Sequence, residues 1–145
     1  MSRNMKCWDE INRNCNPHDR MVAFMENQGD CYAILQLRRD ESNALAFFLS
    51  LEDLRRMGKE PEIDHYEVMH LGNLSAGAVS QEQVPMLLDS LYATYNIDRP
   101  EDFTGHSLSI SDVIALKIHG KISCYYVDRI DFQELTDFIR RENYQ

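Results

Sequence analysis

The spacing of apolar residues along the chain predicts several short strands and a few amphipathic helices. The clearest helical pattern covers residues 84–95, where apolar side chains recur every three or four positions. Pro85 predicts that the helix begins there, because proline suits the first turn of a helix and not its interior. Four compact apolar runs predict strands: CYAILQL from Cys31, HYEVMHLG from His65, VIALKI from Val113 and KISCYYV from Lys121.

Turn and capping residues predict how some of these elements are joined. In SLEDLRRMG, Ser50 is a helix N-cap and Gly58 a stop signal, so a short helix is expected between them. The dipeptide HG at 119–120 separates two strand patterns and predicts a tight hairpin. The run ALAFFL, residues 44–49, predicts a further strand that pairs back on the first one.

Two more patterns concern a strand face and the end of the chain. Alternation in HYEVMHLG predicts that Tyr66, Val68 and His70 lie on one face of their strand. The closing segment DFQELTDFIRREN has apolar residues at helical spacing, with Asp131 and Glu134 placed as a capping pair. We therefore expect a C-terminal helix.

Residues 1–30 differ from the rest because they show no sustained hydrophobic period. Pro17 disfavours helical backbone at the residue before it, and MVAFME fits a strand as well as a helix. We predict an N-terminal arm over residues 1–30, ordered by docking, and one domain over residues 31–145. The predicted fold class is α+β, with a mainly antiparallel sheet of four or five strands covered by helices.

Charge and composition narrow the functional classes. With 24 acidic and 15 basic residues the net charge is −9, which disfavours direct nucleic-acid binding and favours basic partners. No apolar window reaches the ~18 residues of a membrane span, and the N-terminus lacks the apolar core of a secretory signal. The four cysteines are too few and too scattered for a disulfide framework. These features predict a soluble protein of a reducing cytosol.

The stretch FTGHSLSISDV, from Phe103 to Val113, carries the residue types of a hydrolytic site. A serine nucleophile needs a histidine within hydrogen-bond reach and a third group that orients it. His106 and Ser107 are adjacent, however, and adjacent side chains on extended backbone point to opposite faces. No G-x-S-x-G elbow is present. We interpret the stretch as a structured loop leading into a strand, with its serines and Asp112 bonded to loop backbone.

YNIDRPEDFTGHSLSISDVIAL and YYVDRIDFQELTDFI together resemble the YodL-like domain family. The resemblance covers about residues 31–139 and is most specific over the second half. It implies a setting in proteins carried by mobile elements of Firmicutes and other gut bacteria, and it brings no catalytic residues. The matching positions are Asn96, Ile97, Pro100 to Phe103, Gly105 to Ser109, Ser111 to Val113, and Tyr125 to Asp128.

Neither a metal site nor a cofactor site is predicted. Cys7, Cys15 and His18 are spaced more widely than the paired ligands of structural zinc sites. His65 and His70, five residues apart on an expected strand, would face opposite sides. The chain contains no P-loop and no dinucleotide-binding glycine pattern.

The acidic residues carry the main functional hypothesis, a non-enzymatic protein that binds a protein partner. Its sharper form is an inhibitor of a bacterial defence nuclease, of the anti-CRISPR or antirestriction type, whose carboxylates occupy a basic nucleic-acid groove. The resemblance to mobile-element proteins favours this form. The partner-binding candidates are Glu60, Glu62, Asp64, Glu67, Asp98, Glu101, Asp102 and His106.

Two alternatives remain open at this stage. One is a small enzyme that uses His106 with Ser107, Ser109 or Asp112. The other is a regulatory or scaffold module of conjugative transfer, which needs only a binding surface.

Overall fold

The computed structural model describes residues 8–74 and 80–140, and they form an α+β fold around one antiparallel sheet. The sheet has five strands in the order β2-β1-β3-β4-β5. This confirms the predicted fold class. The strands are β1 (Cys31–Leu37), β2 (Tyr66–Asn73), β3 (Val113–Ile118), β4 (Lys121–Val127) and β5 (Phe132–Leu135), and the helices are α1 (Trp8–Asn14), α2 (Pro17–Glu26), α3 (Leu51–Arg56) and α4 (Val84–Ile97).

Helices cover both faces of the sheet, which divides the core into two layers. On one face, Trp8 and Phe24 of the N-terminal helices pack with β1 side chains such as Leu35. On the other face, Leu88 and Tyr95 of α4 pack with side chains that include Ile114 and Leu116 of β3. The central strands β1 and β3 are therefore buried on both sides, which explains why their sequences are almost continuously apolar.

Several predicted elements are confirmed. Ser50 caps α3 by accepting a hydrogen bond from the Asp53 N–H at 3.1 Å, and Gly58 follows the helix with φ of +76°. The β3–β4 hairpin turns at His119 and Gly120, with φ of +51° and +79°. Positive φ at both turn residues matches the right-handed twist of the strands. Helix α4 begins at Val84 with proline in its first turn.

The prediction for His70 is wrong because β2 contains a bulge. The register between β1 and β2 shifts between Ile34 and Leu35, whose partners are His70 and Val68. The extra residue on β2 changes the face to which the following side chains point. Tyr66 and Val68 therefore pack in the layer of α1 and α2. His70 lies against Tyr95 in the α4 layer instead.

The run ALAFFL is also not a strand. It follows a 3₁₀ helix, Glu41–Asn43, whose N-terminus is capped by the Asp40 carboxylate, and continues as turns. The partners of β1 are already β2 and β3, so its two edges offer no free backbone to a further strand. Leu45 and Phe48 consequently stand 70% and 60% exposed.

The predicted C-terminal helix is replaced by strand β5. Phe132–Leu135 pairs with β4, and Asp131 has φ of +63°, a turn conformation that is unsuitable for the start of a helix. Without β5 the backbone of β4 would form an unpaired edge. The Asp131–Glu134 capping pair does not form, and Glu134 lies opposite Tyr125 in the sheet. Residues 141–143 of the predicted helix lie outside the described residues.

The N-terminal helices are bonded to the sheet as well as packed on it. Asn12 on α1 exchanges two hydrogen bonds of 2.9 Å with the backbone of Leu71. The Lys117 ammonium group of β3, in a residue only 5% exposed, donates to the carbonyl oxygens of Met25 and Asn27 at 2.6 Å each. A positive charge there also complements the negative end of the α2 dipole. Residues 8–30 thus share the core with the rest of the described chain, and MVAFME is helical.

None of the helices in the described ranges is both long enough and apolar enough to cross a membrane.

Replacing Lys117 by Met should loosen the N-terminal helices. The substitution preserves most of the apolar volume but leaves buried carbonyl groups at the end of α2 without their donor. We expect the free energy of unfolding to fall by about 1.5–3 kcal/mol, the usual contribution of hydrogen bonds to charged groups. Urea unfolding followed by Trp8 fluorescence measures this change.

Lys121→Met is the matched control, because Lys121 is exposed at the hairpin. Equal stability of the two variants would show that the Lys117 contacts contribute nothing to docking.

Candidate functional site

The stretch GHSLSISD is a loop organised around the buried carboxyl group of Asp112. Asp112 Oδ2 accepts hydrogen bonds from the Ser109 N–H at 2.8 Å and from Gln36 Nε2 at 3.1 Å. The Gln36 amide also donates to the His106 carbonyl at 2.9 Å. These contacts fasten the loop to strand β1. The interpretation of the stretch as a structured loop is confirmed.

Gly105 lets the loop approach β1 this closely. A Cβ atom at this position would overlap Gln36 Oε1 and would lie 2.8 Å from the Phe103 ring. Both neighbours are held in place, since Gln36 is bonded to the loop and Phe103 is buried in the α4 layer. The glycine at this position is therefore required by the packing of the loop.

One ring nitrogen of His106 is bonded to the loop backbone and the other is buried. Its Nδ1 lies 2.7 Å from the Ser107 carbonyl and so carries the hydrogen. Its Nε2 is buried and points towards Asp112 Oδ1 at 3.8 Å, which is too long for a hydrogen bond. The ring itself lies near Phe47 and Phe48, with centroid distances of 6.5 and 6.2 Å. His106 thus supports the aromatic turn before α3.

Two of the three serine hydroxyl groups serve the loop, and the hydroxyl of Ser107 forms no hydrogen bond with the described residues. Ser109 Oγ donates to the Ser107 carbonyl at 2.8 Å, and Ser111 Oγ accepts from the Phe48 N–H at 3.2 Å. No hydrogen bond joins a serine hydroxyl to His106 within the described part of the chain. The contact between a nucleophile and its base, which the hydrolytic alternative needs, is therefore missing from this geometry.

The candidate acidic residues do not form a single surface. Glu60, Glu62 and Asp64 line a groove, while Glu67 lines a depression between α2 and β2 that Asp64 also borders. Asp98 and Glu101 are exposed in the chain that follows α4. His106 lies on a separate surface depression that is also lined by Ser107, Ser109, Phe47, Phe48 and Arg39.

Asp102 is not a surface residue, which corrects its place among the candidates. Its side chain is 7% exposed, and Oδ1 lies 2.7 Å from His70 Nε2. His70 Nδ1 is in turn 2.5 Å from the Tyr95 hydroxyl, which lies 2.8 Å from that of Tyr32. This buried chain of polar groups joins β1, β2, α4 and the loop after α4. Sequence reasoning missed it, because only the bulge in β2 turns His70 towards Asp102.

The groove combines the 60–64 segment with the last strand and the residues after it. It has a volume of about 620 Å³, and Glu134 and Asp137 line it together with Glu62 and Asp64. These four carboxylates form no hydrogen bond or ion pair with other described side chains. Glu134 and Asp137 were not predicted as partner-binding residues, because the expected C-terminal helix gave no reason to place them beside the 60–64 segment.

Basic residues only partly neutralise the groove. Arg55 and Arg140 line it, and Arg55 Nε is already paired with Glu60 Oε1 at 2.7 Å. Five carboxylates against two guanidinium groups leave a formal charge of −3. Because the groove is open to solvent, this charge attracts cations over about a Debye length and is screened by salt.

No metal centre is formed by the described residues: within 8–74 and 80–140, no three His, Cys, Asp or Glu side chains are arranged to hold an ion. Cys15, Cys31 and Cys124 are free thiols. Cys7, the remaining member of the C-x7-C-x2-H pattern, lies outside the described residues.

The structure is a small α+β domain built on one sheet. Its GHSLSISD loop is tied to β1 through Asp112, and most polar side chains of this loop bond within the protein. A family model for the YodL-like domain matches residues 31–138, and the chain belongs to that family. Comparison with curated proteins and with solved structures gives no significant match.

The Asp112 carboxyl should make stability depend on pH. Burial raises its pKa from 3.8 to about 8, although the hydrogen bonds from Ser109 and Gln36 oppose the shift. Between those pH values the folded state holds a proton that the unfolded state releases, so stability falls as pH rises and levels off above about pH 8. Asp112→Asn should remove a decline on the order of a few kcal/mol.

Urea unfolding at intervals from about pH 4 to pH 9 tests this slope. Asp98→Asn, which changes an exposed carboxylate, should keep the wild-type profile. Parallel profiles for wild type and Asp112→Asn would show that Asp112 is already ionised in the folded protein.

Proposed function

We propose that this chain is a non-enzymatic protein-binding module whose acidic groove receives a basic segment of a partner protein. The observation that carries the proposal is that Glu62 and Asp64 line the same groove as Glu134 and Asp137, which are distant from them in sequence. Carboxylates without internal partners can pair with lysine or arginine without first breaking contacts of their own. A surface with this charge is also attracted to the basic surfaces of nucleic-acid-binding proteins.

The specific form of the proposal is an accessory factor of a mobile genetic element, acting in the bacterial cytoplasm on a defence nuclease. Nucleases of the CRISPR and restriction types hold nucleic acid in positively charged channels. A domain with net charge −9 and an open acidic groove has the charge needed to compete for such a channel. The protein partner, and not nucleic acid itself, is then the ligand.

Most polar groups of the GHSLSISD loop bond to the protein's own backbone and side chains, which supports a non-enzymatic role. The hydroxyl groups of Ser109 and Ser111 are bonded to backbone. A general base must reach the proton that it abstracts, and here Nε2 of His106 is buried while Nδ1 is bonded to the Ser107 carbonyl. The enzyme alternative would need this loop to rearrange first.

Charge reversal in the groove should abolish partner binding. The variant Glu62→Lys/Glu134→Lys changes the net charge from −9 to −5, and so does the control Asp98→Lys/Glu101→Lys at a different acidic surface. We expect the groove variant to bind at least about tenfold more weakly and the control to stay within about threefold. The measurement is retention of nucleases and transfer proteins on the immobilised protein at low and high salt, followed by titration of the retained partner.

Equal losses in the two variants would mean that net charge, and not the groove, governs binding. Unchanged binding in the groove variant would overturn the proposal. Retention of transfer or replication proteins alone would favour the scaffold alternative.

His106→Ala should leave partner binding within about twofold of wild type, because the ring lies on a separate depression and not in the groove. Circular dichroism verifies that the variant is folded, and the same titration measures its affinity. A folded variant that loses the inhibitory activity while it still binds would support the enzyme alternative.

A further inference from the structure

A second cavity shares a wall with the acidic groove. It has a volume of about 400 Å³ and lies between the end of β1, the turns before α3 and the start of β2. Residues 60–62 line both the cavity and the groove. The cavity and the groove are therefore neighbours on the two sides of the 60–62 segment.

Most of the inner wall of the cavity is apolar. Leu37, Ala46 and Leu54 contribute aliphatic walls, and the rings of Tyr66 and Tyr126 contribute aromatic ones. Neither tyrosine offers a free hydroxyl group, because they donate to the carbonyls of residues 111 and 49 at 2.7 Å each. Asn43 and His65 also line the cavity, so its wall is mainly apolar with two polar side chains. The buried part of a ligand therefore gains most where it covers the apolar walls.

The rim of the cavity carries charge. Glu60 and Glu62 stand on the wall shared with the groove, and Lys59 lies beside them. Beyond the wall, the groove continues with Asp64, Glu134 and Asp137. Residues that flank the buried group on the groove side are therefore expected to be positively charged.

We propose that the cavity is an anchor site for one aromatic side chain flanked by lysine or arginine in the bound segment of a partner protein. The inference rests on the proposed function and specifies its ligand: the groove pairs with the basic residues, and the cavity buries the ring between them. A cavity of this size lies within the usual range for small ligands, about 300–1,000 Å³. Aromatic anchors in such pockets dominate the affinity of many interfaces.

Labelled peptides test the inference directly. In fluorescence anisotropy at low ionic strength, KKFKK should bind at least about tenfold more tightly than KKAKK, because only the former buries a ring. The acidic peptide EEFEE should not bind. Nuclear magnetic resonance should show that KKFKK, and not KKAKK, shifts the methyl signals of Ala46 and Leu54.

A cavity-filling variant supplies the matched comparison. Ala46→Phe places a ring in the cavity and should reduce the affinity for KKFKK to that for KKAKK. Ala93→Phe, on the exposed side of α4, should change neither affinity. If Ala46→Phe does not fold, the methyl shifts in the wild-type protein decide the question.

The outcomes separate the two proposals. Equal affinities for KKFKK and KKAKK would overturn the anchor site while leaving the basic-segment groove intact. Failure of both basic peptides to bind would overturn both proposals. Binding of EEFEE as tight as that of KKFKK would overturn the charge complementarity on which the ligand assignment depends.

Discussion

The dipeptide Ser111–Asp112 holds together segments that are distant in sequence, and the rest of the structure depends on it. The Ser111 N–H donates to the Val127 carbonyl at 3.0 Å, and the Val127 N–H donates to the Asp112 carbonyl at 2.8 Å. The Ser111 carbonyl accepts the Tyr66 hydroxyl at 2.7 Å, and the Asp112 carboxyl accepts the Gln36 amide. Strands β1, β2 and β4 therefore meet at one buried polar point. Such a point stabilises the fold only if its groups are almost fully paired, which explains the density of polar residues in GHSLSISD.

Because its polar groups must be paired inside the fold, the family motif is largely distinct from the candidate binding surface. Many residues that match the YodL-like pattern are internal: Phe103 packs in the α4 layer, and Tyr126 donates to the Leu49 carbonyl at 2.7 Å. Asp128 accepts from the N–H of Leu51, the first residue of α3. These contacts set the position of α3 and of the chain on either side of it. The groove and the cavity lie next to α3. The contacts of the family motif therefore help to position their walls, although the GHSLSISD loop itself lines neither of them.

The acidic residues fall into two groups, those buried inside the protein and those that face solvent. Asp102 and Asp112 are enclosed with histidine and glutamine partners, where a carboxyl group contributes to architecture. Glu62 and Glu134 face an open groove, where their charges are available to a ligand. Net charge alone does not distinguish these roles, because it counts every carboxyl group equally. Our functional proposals therefore rest on the second group.

The sequence by itself determined the elements whose signals are local. The period of α4, the Ser50 cap of α3 and the His119–Gly120 hairpin were all predictable, because each depends on residues within a few positions of one another. The fold class and the loop character of GHSLSISD followed in the same way. Only the tertiary structure decided that the closing segment becomes β5 and that ALAFFL becomes a turn, because strand formation depends on which sheet edge is free. It also decided that the bulge in β2 turns His70 towards Asp102 and that the chain beyond β4 brings Glu134 into the same groove as Glu62. These arrangements depend on contacts between residues tens of positions apart, which no local pattern records.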